Sequence, residues 1–300
     1  MVCQRRGYNK PPENNKENSM PEWSDGYLTA NGIRIHYYRT GGKKPAVVIN
    51  HGAGDDGLCW THLAKELEQD YDLIMPDARG HGKSASGKGD YSTRQRVADL
   101  AELIQAMKLD SPVVGGHSMG ADSSMHLAAD YPQLARAVFL EDPPIIPAGD
   151  ALFDGQATDG KDIGKMMKRF MLMFKLMPKF IGVRMARKGS PTYPDDEIIP
   201  WTDSKKRMSF DFLNSMTSMD FNRTAPFEVF KKITVPVLLF IGDREKMSIV
   251  TQKTAQEAAR INDKVRVVHL EGASHDIRRT RFDGYLPALK KFLGEIYNSK

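Results

Sequence analysis

The stretch GGHSMGADSS, residues 115–124, decides the fold. Ser118 stands between Gly116 and Gly120, directly after the run Ser-Pro-Val-Val-Gly at 111–115. The pattern reads as a short buried strand, a sharp turn and the start of a helix over SSMHLAADYP. Serine ends strands poorly and starts helices only moderately well, so its position calls for another reason. In so tight a turn, side chains two residues to either side would strike the neighbouring strand and helix, and glycine at 116 and 120 removes them. Gly-x-Ser-x-Gly between a strand and a helix is the pattern of a nucleophile elbow. Its strained backbone pushes the hydroxyl out at a helix N-terminus, where the dipole favours developing negative charge. A glycine-rich turn with an incidental serine is the plainer reading, and the flanking sequence has to decide between them.

Working outward, short apolar runs alternate with helical patterns. AVVIN (46–50) precedes a helical stretch through Thr61 to Gln69, and YDLIMPD (71–77) precedes TRQRVADLAELIQAMKL. In that second segment Val97, Leu100, Ala101, Ile104 and Met107 recur at helical spacing. RAVFLED closes the series at 142. Upstream, GYLTANGIRIHYYR reads as a hairpin turning at Asn31-Gly32. The alternation breaks at Pro143, Pro144 and Pro147 and resumes with TVPVLLFIGD (234–243), a helix, the strand KVRVVHL and a last helix from about Phe282 to Tyr297. Alternation of this kind predicts an α/β fold with a mostly parallel central sheet and helices on both faces. The expected organisation is a disordered tail over 1–21, a core formed by 22–142 and 230–300, and a mostly helical insertion over 143–229.

A serine nucleophile needs a base, a group that orients the base, and donors for an oxyanion. Asp243 follows the strand in FIGDRE, and His275 lies in the loop LEGASHD after the next strand. The order Ser118, Asp243, His275 resembles the nucleophile–acid–histidine order of the α/β-hydrolase family. NHGAG (50–54) resembles that family's oxyanion loop, and PDARGHGKS (76–84) is similar to its usual text after the fourth strand. The resemblance covers about 22–142 and 230–298. It implies Ser118, His275 and Asp243 as a triad, with the amides of Ala53 and Met119 as the oxyanion hole. His51, Gly52, His117 and Trp201 are candidates for the substrate pocket. Asp142, in LEDPP, rivals Asp243, because some members of the family resemble one another in taking the acid from that earlier strand; Asp243 is preferred because it follows the usual one. Relatives that open epoxides carry aspartate at the nucleophile position, so Ser118 implies acyl chemistry.

The remaining signals bound the function. A net charge of +5 without a dense basic patch or a nucleic-acid module argues against nucleic-acid binding. GHGKS resembles the end of a phosphate-binding loop, but Asp77 stands where that motif requires glycine. The eight histidines show no metal-ligand spacing, and neither a metal nor a cofactor is expected. Two cysteines, no signal-like segment and no membrane-length apolar run point to the cytoplasm. The insertion holds nine of the sixteen methionines, and residues 161–188 carry nine basic residues against one acid. The resemblance implies a lid, and methionine and phenylalanine would adapt it to acyl chains. Core packing of those residues, or a basic helix lying on a membrane, are the competing readings, and stable insertion in a membrane is not expected. Trp201, Phe210, Phe212 and Phe221 are further candidates to line a pocket. The expected activity is hydrolysis of a carboxylic ester or lactone with an apolar acyl group. The alternatives are hydrolysis of a carbon–carbon bond in a diketone and ligand binding without turnover.

Overall fold

The computed structural model describes residues 23–87, 89–147, 160–218 and 226–298, with the backbone alone given at 160–162, 218 and 226. The expected tail and Phe221 lie outside the described residues. The strands are β1 (Ser24–Ala30), β2 (Ile33–Arg39), β3 (Ala46–Asn50), β4 (Asp72–Pro76), β5 (Val113–His117), β6 (Ala137–Glu141), β7 (Val237–Ile241) and β8 (Val265–His269). They form one eight-stranded sheet in the order β1-β2-β4-β3-β5-β6-β7-β8. The β1–β2 hairpin turns at Asn31 and Gly32, both with positive φ, and pairs antiparallel with β4; every later pairing is parallel.

The helices are α1 (Thr61–Leu67), α2 (Thr93–Ala106), α3 (Met119–Asp130), α4 (Gly160–Leu176), α5 (Lys179–Gly189), α6 (Asp195–Arg207), α7 (Phe210–Ser215), α8 (Pro226–Lys232), α9 (Gln252–Ile261), α10 (Ile277–Thr280) and α11 (Phe282–Asn298). Side chains alternate across the parallel strands and divide the core in two. Val48, Val138, Leu140, Val237 and Leu239 join Leu100, Ile104, Ala121, Met125 and Ala255 of α2, α3 and α9. Val47, Ile49, Phe139, Leu238 and Phe240 join Leu63 and Leu67 of α1 with Tyr285, Leu289 and Phe292 of α11. Strands apolar on both faces are what a sheet covered on both sides requires.

Helices α4 to α8 follow β6 in the chain and precede β7, so the regular elements described in the segment where alternation breaks are helices, while residues 143–147 are coil. The segment packs over the C-terminal strand ends, with Met171, Met208, Phe212, Leu213 and Met216 against Met119 at the start of α3. Among the described residues no helix is long and apolar enough to cross a membrane.

Phe139 of β6 is fully buried in the half of the core that α1 and α11 cover. Its truncation to alanine should lower stability by about 3–5 kcal/mol in urea unfolding, the usual cost of deleting a core aromatic ring.

Candidate active site

Strand β5 delivers Ser118 at the C-terminal edge of the sheet, with φ 51° and ψ −114°, a conformation L residues rarely hold. The turn is fixed because its flanks have no room to relax. A Cβ on Gly116 would lie 2.4 Å from the Asn50 carbonyl oxygen, and one on Gly120 only 2.1 Å from the same atom. The Ser118 amide donates to the Glu141 carbonyl at 2.9 Å, and the Ser118 carbonyl accepts from Asp122 to begin the helical ladder. The elbow read from the sequence is present, and the end of β3 is what its glycines avoid.

The acid expected at Asp243 is corrected by the geometry. His275 Nδ1 donates to Asp142 Oδ2 at 2.6 Å. Asp142 is fully buried at the end of β6, with φ 45°, and its carboxylate also accepts from the Ser248 hydroxyl and from the amides of Ile249 and Val250. Asp243, at the end of β7, instead accepts from His269 Nε2 at 2.7 Å and from the Gly272 amide at 2.6 Å. The reason is Gly242. A Cβ there would stand 2.5 Å from the Ala273 carbonyl oxygen and 3.0 Å from that of Ser274. The loop after β8 therefore lies directly on the bare end of β7, passes over it, and sets His275 down against β6. Asp243 holds the base of that loop.

Burial opposes the His275 imidazolium, but the hydrogen bond and charge of Asp142, with Asp276 and Glu141 nearby, outweigh it and raise the pKa above the ordinary 6.5. With Nδ1–H committed to Asp142, Nε2 is the basic nitrogen. The His275 ring lies 4.6 Å from that of His117, the residue before Ser118.

The loop after β3 is braced from several sides. Ala78 N–H donates to His51 Nε2 at 2.9 Å and Gly54 N–H donates to His81 Nε2 at 3.0 Å. The other ring nitrogens donate to the carbonyls of Gly52 and Arg79. An accepting Nε2 makes both rings neutral. Burial enforces this, lowering His51 and dropping His81 to about 3. Among the described residues, the amides of Ala53 and Met119 have no hydrogen-bond partner. Asp77, the residue that spoiled the phosphate-loop reading, accepts from the amides of Gly57 and Lys83 and pins this loop to the next.

His117 is buried over Gly52, and its Nε2–H donates to the His275 carbonyl at 3.1 Å, so it holds backbone as His51 does. Trp201 sits among Phe170, Phe174 and Tyr193 under the Lys205 ammonium. Phe212 packs on His81 and Tyr91, whereas Phe210 is exposed. No cluster of His, Cys, Asp and Glu fit to hold a metal occurs among the described residues.

A buried ionic network, which sequence reading missed, joins the helical insertion to this loop. Lys205 of α6 pairs with Asp55 at 2.7 Å, and Arg279 bridges Asp55, Glu197 and Asp276 at 2.9, 2.6 and 2.6 Å. Arg278 pairs with Glu141 at 3.2 Å, donates to the Cys59 carbonyl and lies over the Trp60 ring. Burial works against the Asp276 carboxylate, but Arg279 and the two nearby imidazoles hold it below the usual range. Arg207 binds Asp56, and the Ser204 hydroxyl donates to the Gly54 carbonyl at 2.9 Å. The available signal was the doublet Arg278-Arg279 just after His275, answered by Asp55-Asp56 just after the oxyanion-type loop.

A family model described as alpha/beta hydrolase fold matches residues 45–277. N-formylmaleamate deformylase of Pseudomonas putida is 27% identical over 281 residues, covering 89% of this chain and 96% of that protein. A soluble epoxide hydrolase of Corynebacterium sp. is 31% identical over 161 residues, 47% of this chain and 56% of its own length. Among solved structures, the enol-lactonase from Burkholderia xenovorans superposes with a TM-score of 0.68 at 21% identity, covering 90% of this chain and all of that one.

Two measurements check this geometry without reference to any reaction. Titration of the His275 imidazole by NMR should give a lower pKa in Asp142→Asn, where burial acts unopposed, and an unchanged one in Asp243→Asn. Lys205→Ala leaves Asp55 buried with one partner fewer, and chemical unfolding should show a loss of about 3–5 kcal/mol.

Proposed function

We propose that this chain, which belongs to the alpha/beta hydrolase fold family, is a serine hydrolase that cleaves a carboxylic ester or lactone with an apolar acyl group. One observation carries the reading: a serine in a strained backbone conformation and a buried aspartate that binds the His275 imidazole stand at the ends of the adjacent parallel strands β5 and β6. Ser118 Oγ attacks the carbonyl while His275 Nε2 takes its proton. Asp142 keeps the imidazole in the tautomer that can do so and stabilises the imidazolium that results. The amides of Ala53 and Met119 receive the oxyanion, held in place by the bracing of Gly54 and the first turn of α3. His275 then protonates the leaving group, and water, deprotonated in turn by His275, releases the acid from Ser118.

The apolar acyl group is inferred from the wall above the serine. Met119 belongs to one cluster with Met171, Met208 and Met216, against which Ala53 and Met167 pack, a soft surface that reshapes at low cost. The insertion thus serves as a lid, tied down by Ser204, Lys205 and Arg207 on the same loop that supplies an oxyanion donor. Epoxide opening is disfavoured because the nucleophile position holds serine. A second reading is cleavage of an amide by the same steps. It is favoured by the relative named a deformylase, which matches along nearly its full length.

Hydrolysis of p-nitrophenyl esters from acetate to long acyl chains, beside an N-formyl amide, separates these readings. Ser118→Ala should abolish turnover while remaining folded; activity retained in that variant removes the serine mechanism. A preference for the amide over every ester selects the second reading. Because the free base must be neutral and its pKa is raised, kcat/KM should fall as pH drops through a value above 6.5. Asp142→Asn should lower kcat by about 10⁴-fold, the scale set by losing the correct tautomer in such triads, and Asp243→Asn should cost far less.

A further inference from the structure

The outward face of α4 and α5 is built against the usual logic of a surface helix. At 3.6 residues per turn, Lys165, Met166, Arg169, Phe170, Met173 and Leu176 share one arc of α4, and all are exposed. Ile163, Met171 and Phe174 lie on the opposite arc and are buried. A helix with one face in the protein normally turns a polar face to water, but here both faces are apolar. The patch continues onto α5, where Phe180, Ile181 and Met185 are exposed beside Lys179, Arg184, Arg187 and Lys188. Leu176 is 67% exposed and Phe180 74%. Contiguous apolar surface of this kind marks an interaction site.

We infer that this face docks the protein on an anionic bilayer surface, its phenylalanine, leucine and methionine side chains entering the interface and its lysines and arginines meeting the lipid headgroups. The charge argues for the occupant. Of the nine basic residues in 161–188, Lys165, Arg169, Lys179, Arg184, Arg187 and Lys188 are exposed, so an occupant of this face that supplies negative charge is favoured. Within the segment Lys179 pairs with Asp203 and Arg187 with Asp195, while Lys168 donates to Asn214 Oδ1 and Lys175 to the carbonyls of Lys206 and Met208. A second copy is a poor fit, because a two-fold contact would set this basic face against itself. A protein partner would be met by apolar anchors gathered at a centre within a polar rim. Here exposed basic side chains flank exposed apolar ones along two helices, so the apolar residues can enter an interface while the long cations reach the headgroups. Between α5 and α6, Lys179, Arg184 and Arg187 line an open groove together with Phe180, Val183 and Ile199. The inference goes beyond the hydrolase reading and does not depend on it.

Co-sedimentation of the full chain with vesicles tests it, using phosphatidylcholine alone and phosphatidylcholine mixed with phosphatidylglycerol. The protein should pellet with the anionic vesicles, be released by salt, and bind neutral vesicles at least about tenfold more weakly. Leu176→Asp with Phe180→Asp, and separately Arg184→Glu with Lys188→Glu, should each weaken anionic-vesicle binding by about tenfold or more. All four side chains are exposed, and unchanged circular dichroism and melting temperature would confirm folding. Equal binding to both vesicle types, no binding to either, or full binding by both variants would overturn the inference. So would a concentration-dependent dimer that the Leu176→Asp, Phe180→Asp variant loses, since a second copy would then own the face.

Discussion

The arrangement of the site depends on one hydrogen bond, from His275 Nδ1 to Asp142 Oδ2, and on the loop crossing that makes it possible. In the sheet, β7 separates β6 from β8, so a histidine carried after β8 must pass over an intervening strand end to reach Asp142. Gly242 leaves that end bare, and the Asp243–His269 and Asp243–Gly272 bonds anchor the loop where the crossing begins. Asp142 is in turn locked by three donors from residues 248–250, so its orientation does not depend on the histidine. Ser118 and Asp142 both hold positive φ at the ends of adjacent strands, and the Ser118 amide is fixed on the carbonyl of the residue before Asp142. Strain at one end of this pair is therefore resisted by the other.

Around this centre the chain buries charge where apolar side chains would cost less. Asp55, Glu141, Glu197, Lys205, Arg278 and Arg279 are almost wholly inaccessible, and such groups contribute little net stability even when well paired. What they supply is registration. Asp55 follows directly on the His51–Gly54 turn, Arg279 lies four residues past His275, and Glu197 and Lys205 come from α6. The same ions thus connect the oxyanion-type loop, the histidine loop and the helical insertion. A displacement of any one would leave a buried charge unpaired, which penalises intermediate positions more sharply than apolar packing would.

The fold was legible because its signals are local and periodic. Alternating apolar runs gave the parallel sheet, Asn31-Gly32 the hairpin, and Gly116-x-Ser118-x-Gly120 the elbow. The position of His275 and the break in alternation after β6 were equally readable. The aspartate that binds His275 was not, since both Asp142 and Asp243 end a core strand, and a list of strand ends contains no information about which one a later loop crosses. Gly242 was the one residue that could have reported the crossing, but a glycine at a strand end serves bulges and tight bends as readily as a close backbone approach. The pocket assignments of His51 and His117 ran differently from the structure for a related reason. A histidine beside a nucleophile suggests contact with substrate, but two amides and three carbonyls in these loops need partners, and the buried imidazoles of His51, His81 and His117 are what satisfies them. The ionic network was written in residues far apart in sequence, and only the fold brings them together.

Helix α4 connects the two apolar features of the molecule. Its inner arc places Met171 in the wall over Met119, while its outer arc carries the exposed phenylalanine, leucine and methionines. An inner wall alone would be ordinary core packing, and an outer patch alone an isolated surface feature. Together, on one helix anchored through its neighbour α6 to the loop beneath, they give a direct mechanical path between the outer surface and the proposed oxyanion donors. Gly54 makes that path tight: a Cβ on it would stand 2.9 Å from Met171, and its carbonyl already accepts from Ser204. With so little clearance, any shift of α4 relative to the sheet has to be met by movement of this loop or of the Met171 thioether. Methionine can absorb small shifts by changing rotamer, so the wall can yield while the braced backbone beneath keeps its shape.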